Sequence, residues 1–225
     1  LNLHDDRDLT DLLSRRGQLD PELIQRVLSH HASGLQVLLA PPPASLHEAV
    51  SLPQVQQVLA HLKRMFDWVV VDLGLPLDET AFAFLDSADR IVMTVLPEMV
   101  GLRNTRLMLD QLHGRGYPDD KVWLVLNRAT IRGGINQRDI ESRLRVRVRH
   151  SVPDDQPLVS HSVNRGVPLV MSHERSAVGR AIRDLAQLLV QDLTTVRSPN
   201  GKAAPAPAKS DGLQRWVRRT RPVNT

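Results

Sequence analysis

The stretch Phe66-Asp67-Trp68-Val69-Val70-Val71-Asp72-Leu73-Gly74-Leu75-Pro76 restricts the possible folds more than any other part of this chain. Three consecutive Val cannot alternate between a wet and a dry face, so the run predicts a strand buried on both sides, as in a parallel sheet covered by helices. Asp72 then stands at the carboxyl end of that strand, the edge where open α/β sheets hold ligands, and Gly74 and Pro76 let the chain leave in a tight loop. Two roles are open to Asp72. It can hold a magnesium-bound water beside a phosphate, or it can end the strand and cap the next helix.

With 225 residues, 41% hydrophobic and 24% charged, the chain is long enough to bury one full core. It contains no Cys, which excludes disulfides and thiolate metal sites. No apolar run approaches the roughly 18 residues of a membrane-spanning helix, and no signal peptide opens the chain, so a cytoplasmic location is expected. The opening Leu1-Asn2-Leu3-His4-Asp5-Asp6 reads as the middle of a longer protein, and an amino-terminal portion ahead of it is expected.

The remaining pattern alternates helix and strand. Asp20-Pro21 is a helix start, with Asp to cap and Pro pre-set for the first helical position, and Leu23, Ile24, Val27 and Leu28 form its apolar stripe. A short strand is expected over Leu35 to Ala40, closed by Pro41-Pro42-Pro43. A second helix carries Val55, Val58, Leu59 and Leu62. After Pro76 come a helix over 78–87, the apolar strand Ile91 to Leu96, and a helix whose buried side is read as Leu102, Leu107, Met108 and Leu112. A third strand, Val122 to Leu126, finishes in Asn127-Arg128, and a helix carrying Ile140 and Leu144 follows. Arg145-Val146-Arg147-Val148-Arg149 alternates strictly, which predicts a strand near a sheet edge. A short helix over 158–164 and a long amphipathic helix over 176–193 close the globular part. With right-handed crossovers, this order means an α/β fold: a mostly parallel β-sheet flanked by helices on both faces.

The charge is uneven. From Arg197 onward there are seven basic residues and one acid, +6 of the total +4, which leaves the first 196 residues at 4 − 6 = −2. The expected domains are therefore 1–196, globular, and 197–225, a flexible basic tail of linker composition. Leu213, Trp216 and Val217 lie at helical spacing among arginines, either as a short interfacial helix on anionic lipid or as a solubilising tail. Aromatics are 3%, too few for the stacking platforms of single-stranded nucleic-acid binders, and specific nucleic-acid binding is not expected.

Three strand ends thus carry polar or turn residues: Asp72-Leu73-Gly74-Leu75-Pro76, Asn127-Arg128, and Val152-Pro153-Asp154-Asp155. In this order they resemble the MinD/ParA family of deviant Walker ATPases, and within it the pilus-assembly branch called TadZ or CpaE. Leu96-Pro97, Leu102-Arg103-Asn104, Gly116-Tyr117-Pro118, Arg132-Gly133-Gly134-Ile135 and Asn164-Arg165-Gly166-Val167-Pro168 extend the match over about residues 1 to 193. The resemblance implies a P-loop NTPase-like fold, incomplete at its amino terminus. It implies ATP and Mg2+ as cofactors and Asp72 as the Walker B or switch II aspartate on the magnesium shell. Asn127 and Arg128, with Pro153 and Asp154, would form the adenine side; an Asn amide accepts from the exocyclic amine and donates to a ring nitrogen, which a carboxylate cannot.

One departure from the family is large. Its signature loop, Gly-rich with Lys and Ser/Thr, supplies the N–H cradle for phosphates, and this sequence has no such run. The four lysines are Lys63, Lys121, Lys202 and Lys209, none between a strand and a helix in that pattern. The chain is expected to be inactive as an ATPase by itself. The function implied for the complete protein is an ATP-dependent dimerisation switch for assembling or positioning a Tad/Flp-type pilus. Its partners would be a second copy, the pilus and type II–IV secretion machinery, and the inner face of the membrane through the basic tail. The alternatives are a nucleotide-independent scaffold and a ParA-type DNA partition ATPase. The histidines lack metal-ligand spacing, and Asp119-Asp120 and Asp154-Asp155 fit turns and helix starts.

Overall fold

The computed structural model describes residues 3, 7–13, 19–41, 51–75 and 77–196. The chain divides into two compact units, Leu1–Ile182 and Arg183–Thr225. The basic tail lies outside the described residues, and the described part of the second unit, 183–196, is helical.

In the first unit, helix α1 (Leu9–Leu13) and helix α2 (Pro21–Val27) precede a two-residue hairpin, β1 (Ser29–His30) and β2 (Gln36–Val37). Asp20 caps α2 by accepting from the Leu23 N–H at 2.6 Å, and Pro21 opens it. Gly34, at φ 91°, turns the hairpin, and α2 stops at Val27. The expected strand over Leu35 to Ala40 shrinks to β2, with Leu35 exposed. Helix α3 (Leu52–Met65) carries the predicted stripe; its Val58 joins Leu12, Leu13, Ile24, Val27 and Leu28 in one hydrophobic core.

Helix α4 (Glu79–Ser87), capped by Asp78, leads to β3 (Ile91–Val95), helix α5 (Met99–Gly114), β4 (Val122–Leu126), helix α6 (Gln137–Leu144) and β5 (Val148–Ser151). These strands form one parallel sheet in the order β3-β4-β5, with Ile91 opposite Val122 and Val95 opposite Leu126. Every residue of β4 is buried, so the apolar run does report burial on both faces. On one face Val122, Leu124 and Leu126 pack with Phe82 and Leu85 of α4, Leu102, Leu109 and Leu112 of α5, and Ile140 and Leu144 of α6. On the other, Trp123 and Val125 are buried, and His150 Nε2 meets the Ala181 carbonyl at 2.7 Å. The connecting helices are α7 (Gln156–Arg165), α8 (Leu169–Ser172) and α9 (Ala177–Val196).

Two expectations need correction. The buried stripe of α5 is Leu102, Thr105, Leu109 and Leu112, and Leu107 is 59% exposed. More consequentially, 66–72 joins no ladder among the described residues. Val70 is 89% exposed, and Trp68 and Val71 are also open. The stretch lies between two cores, Phe66 packing on the α1–α3 core and Leu73 and Leu77 on the sheet core. Lys63, at the end of α3, reaches the Ser87 carbonyl and lies 3.8 Å from Asp89, just ahead of β3. No hydrogen bond among the described residues joins the Val run to β3. A strand needs a ladder partner on at least one side, and the described chain offers this one none.

Candidate functional site

The carboxyl rim of the sheet is built where β4 and β5 end together. The ladder continues past both strands, with the Val152 N–H donating to Leu126 O at 2.8 Å and the Ala129 N–H to Val152 O at 2.9 Å. These bonds place Asn127-Arg128 beside Pro153-Asp154. Arg128 Nε donates to Asp154 Oδ1 at 2.6 Å, and the Asp154 N–H donates to Thr130 Oγ1 at 3.0 Å. Both side chains of the ion pair are partly exposed, 36% for Arg128 and 23% for Asp154, so the pair is open to a ligand.

Asn127 turns part of its amide inward. Its Oδ1 accepts the Arg128 N–H at 2.9 Å, and its Nδ2 makes no hydrogen bond among the described residues. The inward bond accompanies an unusual backbone: Arg128 has φ 56°, a left-handed conformation costly for a residue with a Cβ. Asn127 thus presents two N–H donors and one remaining acceptor lone pair.

A shallow cleft of about 110 Å³ borders this cluster, between Leu96-Pro97-Glu98 after β3 and Arg128, Ile131, Arg132, Gly133 and Gly134 after β4. The Ile135 N–H ties the second loop to Pro97 O at 2.8 Å. A Cβ on Gly134 would come within 2.8 Å of Ile131 Cγ2 and 3.2 Å of Pro97 Cγ, so only glycine allows the two loops this approach. The Arg132-Gly133-Gly134 run singled out in the sequence is therefore a wall of the rim.

Asp155 has a different task from its neighbour. It caps α7, accepting from the Leu158 N–H at 3.2 Å, so the adjacent aspartates divide between a helix start and the ion pair. Asp72 is exposed in the unpaired stretch, and no hydrogen bond or ion pair among the described residues joins it to Asn127 or Asp154. Its free carboxylate is compatible with an outer-shell magnesium ligand. Thr130 is the rim residue that sequence reading missed; nothing in the local pattern marks a hydroxyl four residues after the strand as the acceptor for Asp154.

No protein-family model matches the chain. It is 27% identical over 158 residues to the septum site-determining protein MinD of a Synechocystis species, a match covering 68% of this chain and 58% of that protein. Among solved structures it resembles the ParA family ATPase from Chlorobium tepidum, with a TM-score of 0.76 at 20% identity over 83% of this chain and 78% of that one. It also resembles the septum site-determining protein MinD from Pyrococcus horikoshii, solved with Mg-ADP, with a TM-score of 0.68 at 19% identity over 90% and 79% of the two chains. The chain spans just over half the length of the curated relatives it matches, 58% and 53%. The fold is that of the MinD/ParA P-loop ATPases.

Proposed function

We propose that this chain carries the base-binding rim of a MinD/ParA-type nucleotide switch of the pilus-assembly, TadZ/CpaE-like branch. The observation that supports this best is the joining of Asn127-Arg128 to Pro153-Asp154 at the common end of β4 and β5. ATP with Mg2+ is the proposed cofactor. Asn127 would donate to a ring nitrogen of the base, Pro153 would lie along it, and Asp72 would hold the magnesium shell. Magnesium would screen the phosphate charge when bound. The residues that cradle the phosphates belong, on this reading, to polypeptide ahead of Leu1, consistent with the β3 edge and the Val69–Val71 run, both without a ladder partner on that side among the described residues.

In the complete protein, ATP binding would favour a dimer of two copies, and hydrolysis would release it. A ligand can drive such a switch only through different affinities for the two states. The proposed partners are the pilus secretion machinery, with the basic tail adding contact to the cytoplasmic face of the membrane. The test is the dimer fraction of the complete protein, by light scattering, with and without Mg-ATP. Growth of the dimer with ATP is the expected result, and an equal fraction in both would overturn the switch.

A further inference from the structure

We infer that Arg128 is the specificity-determining residue of this rim: its ion pair with Asp154 removes a free carboxylate that would favour guanine and so leaves adenine preferred. The inference rests on the nucleotide reading above and adds to it the means of discrimination. Guanine carries two neighbouring donors, the ring N1–H and the exocyclic amine, and a free carboxylate accepts both at once in a fork. Adenine offers one exocyclic amine flanked by ring nitrogens whose lone pairs repel a carboxylate. An Asp beside an Asn at the end of a strand would therefore select guanine if its charge were free.

In this chain the charge is not free. Arg128 Nε holds Asp154 Oδ1 at 2.6 Å, and Thr130 Oγ1 holds the Asp154 N–H at 3.0 Å, so carboxylate and backbone are both fixed. Asn127, with Oδ1 bonded to the Arg128 N–H at 2.9 Å, keeps Nδ2 without a hydrogen-bond partner among the described residues. An acid paired through one oxygen beside an unengaged amide donor matches a base edge that alternates donor and acceptor. It does not match one with two adjacent donors.

The backbone supplies a clean variant. Arg128 already occupies a left-handed conformation at φ 56°, which glycine adopts without cost, so Arg128→Gly deletes the guanidinium and keeps the turn. The experiment titrates the complete protein with Mg-ADP and Mg-GDP by ligand-observed NMR up to millimolar concentration. Wild type is expected to prefer ADP by at least about tenfold, the discrimination of a single well-placed polar contact. Arg128→Gly should bring the ratio to near one or invert it. Arg128→Gly with Asp154→Asn should restore the ADP preference, because the acid it unmasks is gone.

An ADP-to-GDP ratio unchanged in Arg128→Gly, or two affinities that fall by the same factor, would overturn the role of Arg128 and leave the nucleotide reading standing. Failure of wild type to bind either nucleotide would overturn that reading and the inference with it.

Discussion

Tyr117 is a titratable residue set into the sheet core. Its ring is 9% exposed, its hydroxyl donates to Asp86 Oδ1, and Lys121 Nζ lies 5.1 Å from the ring centroid. Burial first, then the hydrogen bond to Asp86, pushes the phenol from its ordinary 10.0 up to about 12. A raised value means the fold favours the neutral phenol. Its stabilisation is fully present below pH 10.0 and is lost as the pH rises through about 12. Tyr117→Phe should cost about 1 kcal/mol in urea unfolding at neutral pH, and the gap to wild type should close across that alkaline window. A gap independent of pH would contradict the assignment. Asn127 stands out in the sequence because it directly follows the apolar run Val122 to Leu126, and Pro153-Asp154 because they end the alternating stretch that begins at Arg145. The Arg128–Asp154 pair was not legible there, since 26 residues separate its partners and only the parallel register of β4 and β5 brings them together. Gly134→Ala tests the rim at the same scale. The added methyl meets Ile131 and Pro97, and a loss of about 1–3 kcal/mol is expected by thermal or urea unfolding, as for overpacking elsewhere.

Among the elements, helix starts were the most legible feature. Asp20, Asp78 and Asp155 each accept the N–H three residues on, and each stands where a polar residue precedes an apolar periodic run. Asp155→Ala should therefore lower stability by about 1 kcal/mol, and the purine preference assigned to Arg128 and Asp154 should not move. A change in ADP-to-GDP ratio would mean that the cap and the ion pair are coupled. Helix phase was less legible. Leu107 and Met108 read as core because apolar residues crowd α5, whereas the true stripe spaces Leu102, Thr105, Leu109 and Leu112 by three or four. Leu107→Ser should change stability by less than about 0.5 kcal/mol, while Leu109→Ala should cost about 2–5 kcal/mol. The edge position of β5 was read correctly from its alternation, though the strand starts at Val148 because Arg145 turns left-handed at φ 55°. Glu141 closes part of that edge by accepting the Val148 N–H at 2.9 Å. That bond, then the one from Gln137, holds its carboxyl below the usual range. The stabilisation is present at neutral pH and disappears as the pH falls through the lowered value, and Glu141→Gln should remove this acid dependence in pH-resolved unfolding.

At the scale of the molecule, a strand run is a statement about neighbours as much as about the segment that contains it. Val122 to Leu126 and Val69 to Val71 are both unbroken apolar runs, yet β4 lies between two strands with every side chain buried, and Val70 is 89% exposed. The sequence encodes burial on both faces in each case, and only the first has its ladder partners within the described chain. Trp68, Val70, Val71 and Leu75, together with Val92 of β3, are left as open apolar surface. Two chains of different length separate local cost from closure. In the 225-residue chain Val70→Ser should change unfolding stability by less than about 0.5 kcal/mol, because little apolar surface leaves water at that position. In a protein extended ahead of Leu1 by the phosphate-binding half proposed above, the same substitution should cost about 1–3 kcal/mol, and the Val69–Val71 amides should gain hydrogen-exchange protection approaching that of Leu124 to Leu126. Equal small effects in both proteins, with those amides exchanging freely in each, would mean that the Val run closes against nothing ahead of Leu1 and that the rim works without a phosphate-binding half beside it.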